Sequence, residues 1–381
     1  MAWFRRKKSD AAPMAESGAA LDPSVPERAF WSWWCAEGAT AVAHAIDARD
    51  VHGIVDLLSG PVEAMHRELH WELGPGEAGS QHVLVVSAGH DPRLRAIARR
   101  WLLAAPAADE VFCYSDGRIA QTRATEPTAA IGVQPAERTE RIEHLTVSND
   151  APVAPDATDP AIDLEQVVIG ATARGARVDL ELYHPGLLGL DRAGRRRVTA
   201  ELLTAALGES AADTWIGDVD HVETAPERPT SVEELRELVE RVAAKHPLSG
   251  PNRVWTVTRG VDLNGEYFVR HMEPLVAAGR PDLDTHVRLV VPYAAASGGF
   301  YDVRQAGLLG ELETSLEDGL GETGQLVASE NRPGRRVLHF YVDGTTAASA
   351  VLQKDLDSWA EGPIVCDVAF DPAWEAVGHL R

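Results

Sequence analysis

Cysteine is scarce in this sequence: Cys35, Cys113 and Cys366 are the whole complement. They are odd in number and far apart, so neither a disulfide framework nor a Cys-x-x-Cys metal or redox site is indicated, and a reducing compartment fits best. Long apolar runs are missing as well. Nothing approaches the roughly 18 consecutive apolar residues of a membrane span, and the N-terminus has no apolar signal segment, so the cytoplasm is the expected location. Positive charge is in deficit, with 36 Lys and Arg against 58 Asp and Glu for a net charge of −22. Such a balance repels phosphate backbones, so direct nucleic-acid binding is not expected and a basic protein is the electrostatically favoured partner. The same charge also serves solubility alone.

What is present is the ordinary substance of a folded protein, 45% hydrophobic and 25% charged, a balance far from that of disordered chains. At 381 residues and roughly 150 residues per domain, two or three domains are expected. Residues 1–26 read as a disordered tail. Within it Trp3 and Phe4 precede Arg5, Arg6, Lys7 and Lys8, a cluster that anionic lipid would attract but that lacks an amphipathic continuation, so membrane contact is not the expectation.

An aromatic helix is expected from Phe30, with Trp31, Trp33 and Trp34, followed by helical spacing from Val51 to Leu69 that Gly60 and Pro61 should end or kink. A hairpin (His70 to Leu73, His82 to Ser87), a helix (Asp91 to Ala105) and a strand (Glu110 to Tyr114) come next. The same order recurs with strands Gln166 to Ala171 and Arg177 to Tyr183, a helix from Arg192 to Leu207 and a strand from Thr214 to Val222. It recurs again with Gly324 to Ala328, Arg335 to Val342, a helix from Ala347 to Trp359 and a strand from Ile364 to Phe370. There a strand, His286 to Tyr293, and a helix, Val303 to Leu316, come first, giving the β-α-β-β-α-β order of ferredoxin-like folds. The expected fold class is therefore α/β (α+β), in modules at 27–148, 160–246 and 252–381. Pro-rich stretches at Asn149 to Pro160, Pro226 to Thr230 and Pro247 to Asn252 mark the joints, with an amphipathic helix from Val232 to Ala244 before the last.

Chemical motifs fail on inspection. Gly74, Gly76 and Gly79 have G-x-G-x-x-G spacing, but a strand follows where a dinucleotide site needs a helix, and Pro75 and Glu77 sit where phosphate would approach. His66 and His70 flank Glu68 in the wrong order for a zinc-protease helix. Asp218 and Asp220 face one side of a strand and His221 and Glu223 the other, leaving two ligands where a metal needs three or more. Ser87 lacks the leading glycine of a nucleophile elbow. No catalytic residue, metal site or cofactor is expected from motifs, although distant residues can still assemble a site.

The segment Arg335-Arg336-Val337-Leu338-His339-Phe340-Tyr341, with Asp371-Pro372-Ala373-Trp374, resembles the bacterial family called domain of unknown function 695. The Phe30-Trp31-Ser32-Trp33 helix with the Leu69 to Leu73 strand looks like the domain that often precedes it. The resemblance implies a fold and no activity. A more distant likeness, in acidity and element order, is to the regulator of ribonuclease activity B, an inhibitor protein. The leading expectation is thus a non-catalytic interaction or regulatory protein; a hydrolase with a site between modules and a structural component of an assembly are the alternatives. On a ferredoxin-like module, Leu338, Phe340 and Val342 would pack beneath the helices with Val287, Leu289 and Val291. Arg288, His339 and Tyr341 would then face the open side as candidate protein contacts, unless another module covers that side and buries Tyr341.

Overall fold

Helix starts are set locally. Asp50, Asp91, Asp191 and Asp302 each accept a hydrogen bond from a backbone N–H of the following first turn, and Ser231 forms a reciprocal capping box with Glu234, satisfying donors that the helix itself leaves free. The structure is a computed structural model that describes residues 25–76, 79–89, 91–120, 147–149, 162, 164–262, 265–296, 299–354, 356 and 359–380. The basic cluster at Trp3 to Lys8 and most of the Pro-rich joint after Asn149 lie outside the described residues.

The chain is mixed α and β. It begins with α1 (Pro26–Trp33), a π-helical turn (Trp34–Gly38), α2 (Ala39–Asp47) and α3 (Val51–Met65). Then come β1 (His70–Pro75), β2 (His82–Ser87), α4 (Pro92–Leu103), β3 (Phe112–Ser115) and β4 (Val147–Ser148). These strands form a sheet in the order β3-β2-β1-β4, with β2 and β3 parallel. Its core is aromatic: Phe30, Trp31, Trp34 and Trp101 are all buried. The Trp31 indole donates to the Trp101 carbonyl at 2.6 Å and that of Trp34 to the Tyr114 hydroxyl at 2.9 Å, so these two rings are buried with their polar handles satisfied, whereas Trp101 Nε1 is buried without a hydrogen-bond partner among the described residues. Helix α3 continues past Gly60 and Pro61 to Met65, so it does not end there as one of the two expected outcomes had it. Ile54, Leu58, Val62 and Met65 are buried along one face, and at about 1.5–3 kcal/mol each this outweighs the ~3 kcal/mol that an interior proline costs.

The second sheet has the order β5-β6-β7, from β5 (Val168–Arg174), β6 (Arg177–Tyr183) and β7 (Ile216–His221), with α5 (Pro185–Gly189), α6 (Arg192–Leu207), α7 (Glu209–Trp215) and α8 (Val232–Lys245) around it. The strand expected from Thr214 starts two residues later because Gly208, at φ 79°, turns the chain into α7 first, a conformation that suits glycine.

The third sheet is six-stranded, β13-β10-β12-β11-β9-β8, with every neighbouring pair antiparallel. Its elements are β8 (Val254–Asp262), β9 (Gly265–Glu273), β10 (Thr285–Pro292), α9 (Val303–Leu320), β11 (Gly324–Arg332), β12 (Arg335–Val342), α10 (Ala348–Gln353) and β13 (Val365–Phe370). The β8–β9 hairpin is an addition to the expected strands, and α10 ends six residues short of Trp359. Val287, Leu289, Val291, Leu338, Phe340 and Val342 pack with Leu309, Leu316, Leu320 and Leu352 of α9 and α10, as strand alternation requires. The other face carries Val269, Met272, Val327 and Tyr341 beneath Leu275, Leu283, Trp374, Val377 and Leu380.

Helix α4 joins the three parts. Arg95 pairs with Glu209 at 3.0 Å and with Asp213, both on α7. One turn on, Arg100 pairs with Asp284 at 2.6 Å and with Asp343 at 2.9 Å beside the third sheet. No helix among the described residues is long and apolar enough to cross a membrane.

Candidate functional site

Titratable side chains converge on both faces of the third sheet, while its β13 edge carries exposed apolar side chains beside a single charged one, Asp367. On the face away from the helices, the antiparallel register sets His286 opposite Tyr341 and Ala328 opposite His339. His286 Nε2 lies 3.1 Å from His339 Nδ1, and His339 Nε2 lies 3.1 Å from Glu330 Oε1. A carboxylate only accepts, so a neutral His339 carries its proton on Nε2 and accepts at Nδ1 from His286. Beside this chain the Tyr341 hydroxyl donates to Asp371 at 2.6 Å, and the Tyr341 ring stacks between His286 and Trp374 at centroid distances of 5.0 and 4.4 Å. The Trp374 indole donates to the Leu283 carbonyl at 2.8 Å.

The expectation that this face is open is therefore corrected for two of its three candidate contacts. His339 is 2% and Tyr341 0% exposed, because the module's own chain from Asp371 to Leu380 folds back over them. Arg288 stays at the surface, with its side chain 40% exposed and paired to Asp367 of β13 at 2.9 Å. The carboxylate–histidine–histidine chain has the parts of a proton relay, with imidazoles 6% and 2% exposed, and the returning segment meets it through the Tyr341 ring and through His379, 3.6 Å from Glu330.

That arrangement responds to pH. Burial, and next the neighbouring His339, push the His286 pKa down to about 4, against an unfolded value near 6.5. Between those values the unfolded chain binds a proton that the folded chain refuses, so this contribution is full above about pH 6.5 and is lost as pH falls toward 4. Glu330, held below the usual carboxylate range by the hydrogen bond from His339, adds a further loss at more acidic pH. Urea unfolding at pH 7.5 and pH 5 is expected to show a loss of up to about 2–3 kcal/mol, and His286→Gln should remove most of it. An unchanged pH slope in that variant would assign the effect elsewhere.

The opposite face holds a cleft of about 370 Å³ where the β8–β9 hairpin extends past α9. Glu313 of α9 reaches Arg270 of β9 at 3.2 Å and Arg336 of β12 at 2.5 Å. Burial raises the Glu313 pKa, with both guanidiniums working against the rise. Arg270 also lies over the Trp255 ring at 4.2 Å, an attraction between cation and π face that fixes its direction. Asn331, 5% exposed, completes the floor, and its Oδ1 and the Nε atoms of Arg270 and Arg336 are buried without a hydrogen-bond partner.

Sequence reasoning passed over Arg270, Glu313, Asn331 and Arg336 as site residues. The available signal was the Asn264-Gly265 pair between two runs rich in β-branched and aromatic residues, a strong hairpin sign. Elsewhere, His221 is engaged by the Thr199 hydroxyl at 2.9 Å, and His66 Nδ1 accepts from the Glu68 backbone. Among the described residues no group of three or more His, Cys, Asp or Glu is arranged to hold a metal ion. No family model, curated protein or solved structure matches the chain.

Proposed function

We propose that the chain is a non-catalytic interaction protein whose third sheet takes up an extended segment of a basic protein along β13. The carrying observation is the state of that edge. Among the described residues β13 pairs with β10 alone, and Val365, Val368 and Phe370 are 52%, 45% and 63% exposed. Sheet edges are ordinarily guarded by charge, proline or a covering element; this one offers unpaired backbone groups with apolar side chains beside them, the requirements for strand addition. Asp367 is its one charged residue, and on a chain of net charge −22 a basic segment is the complementary occupant. Arg288 lies next to it and belongs to the same contact area.

The order β13-β10-β12-β11 with α9 and α10 as crossovers supports reading this part as ferredoxin-like with an added hairpin. The likenesses to domain of unknown function 695 and to the ribonuclease regulator belong to the same proposal. Three units in which a hairpin, a helix and a strand parallel to the hairpin's second member follow one another support duplication. In the third unit β10 is inserted between the two parallel strands.

Capture from host lysate with the native chain and Val368→Lys in parallel tests the reading. A basic protein should be retained by the native chain, released at high salt and reduced about tenfold or more by the variant, with amide exchange slowed at residues 365–370 in the complex. Equal capture by both chains would overturn it. Concentration-dependent dimerisation that Val368→Lys abolishes would make the occupant a second copy, which is the assembly alternative.

A further inference from the structure

We propose that the cleft between α9 and the β8–β9 hairpin binds a small aromatic carboxylic acid that carries a hydrogen-bond donor next to its carboxylate. This site is separate from β13 and does not depend on it. Three observations specify the ligand.

First, the charge of the cleft is that of a monoanion site. Arg270 and Arg336 bring two guanidiniums and Glu313 cancels one, leaving a single positive charge for the ligand to neutralise. A dianionic phosphate would press against the Glu313 carboxylate, while a planar carboxylate matches the guanidinium fork. Second, the polar atoms left over, apart from Glu313 Oε1, which lies 2.5 Å from the Arg336 guanidinium, are complementary to such a group. The Nε–H donors of Arg270 and Arg336 and the acceptor Oδ1 of Asn331 have no partner, and Arg336 and Asn331 are 7% and 5% exposed. Leaving such buried groups unpaired costs about 1–3 kcal/mol each. A carboxylate supplies acceptors to the two arginines, and an adjacent hydroxyl or N–H supplies the donor for Asn331. Third, the rest of the lining is apolar and aromatic. Phe268, Tyr301, Val257 and Ala306 border the cleft, and Phe268 is held edge-on by Phe300 at 5.0 Å, so a flat ring has a wall to lie against. The volume falls in the range of small-molecule sites, roughly 300–1,000 Å³.

Gly310 provides a test that leaves the fold intact. It lines the cleft from α9, and a Cβ there meets nothing within 4 Å, so Gly310→Leu fills the space while improving helix propensity by up to about 1 kcal/mol. Salicylate, which has the carboxylate, the adjacent hydroxyl and the ring, is the probe, followed by the arginine Nε–H resonances of the full chain. Saturable shifts at Arg270 and Arg336 are expected. Gly310→Leu should weaken them about tenfold or more without lowering the unfolding midpoint, and Asn331→Leu should weaken them by a similar factor. No saturable shift at either arginine, or undiminished binding in Gly310→Leu, would overturn the site. Benzyl alcohol binding as tightly as salicylate would overturn the anion requirement, and phenyl phosphate binding more tightly would overturn the carboxylate.

Discussion

Replacing Arg100 with methionine is expected to cost about 3–5 kcal/mol of stability, because it strips the counter-charge from two carboxylates without returning them to water. The guanidinium lies between Asp284 and Asp343, and its Nη2 also donates to the Asp282 carbonyl at 3.2 Å. The side chains of Arg100 and Asp284 are 13% and 6% exposed. Burial works against the Arg100 charge, and the two carboxylates outweigh it, raising its pKa above the ordinary value. Among the described residues no second cation pairs with Asp284, whose other oxygen already accepts from the Thr285 hydroxyl at 3.0 Å and the Gly344 amide at 3.1 Å. Methionine keeps most of the aliphatic volume, so the loss reports charge. Urea unfolding should show it, and adding Asp284→Asn should recover a large part. A loss below about 1 kcal/mol would mean that the pair is worth no more than a surface ion pair.

Trp374→Ala should cost a similar 3–5 kcal/mol, through the cavity left by a large buried ring and the lost indole hydrogen bond. Its effect differs in kind. Trp374 is 0% exposed and stacks on Tyr341, so its removal loosens the segment from Asp371 to Leu380 and admits water to the histidine chain. Amide exchange should quicken in that segment and at residues 337–341 while the aromatic core around Trp31 and Trp101 keeps its protection. His286, once hydrated, should titrate closer to 6.5, and the stability loss between pH 7.5 and pH 5 should shrink with it. A variant that is destabilised yet keeps the native pH slope would separate the covering segment from the histidines.

These two expectations rest on features the sequence discloses unequally. Helix α6 and strands β2, β6 and β12 are legible to within a residue because caps, alternation and turn residues are local. So is the division of β10 and β12 into a face under the helices and a face away from them. The cover over the second face is not legible: Asp371 to Trp374 is a turn and Glu375 to Leu380 a short 3₁₀ stretch without periodicity, and only its docking reveals Trp374 as a core residue. The persistence of α3 through Pro61 is hidden for the same reason, since the burial that outweighs the proline is tertiary. The cleft needs four strands and a helix from distant parts of the chain, and Glu313 reads in sequence as one more charge on an amphipathic helix. Arg288 kept the exposure expected of it; His339 and Tyr341 alternated to the predicted face but met a cover.

Helix α4 also has a consequence in time. Its arginines find their counter-ions far downstream: Arg95 waits for Glu209, 114 residues later, and Arg100 for Asp284, 184 residues later. At roughly 5–20 residues per second of synthesis, the interval for Arg100 is on the order of ten to forty seconds. During it the aromatic N-terminal core can close while one side of α4 stands bare and cationic, an affinity for acidic surfaces that the finished, strongly acidic protein has hidden within itself.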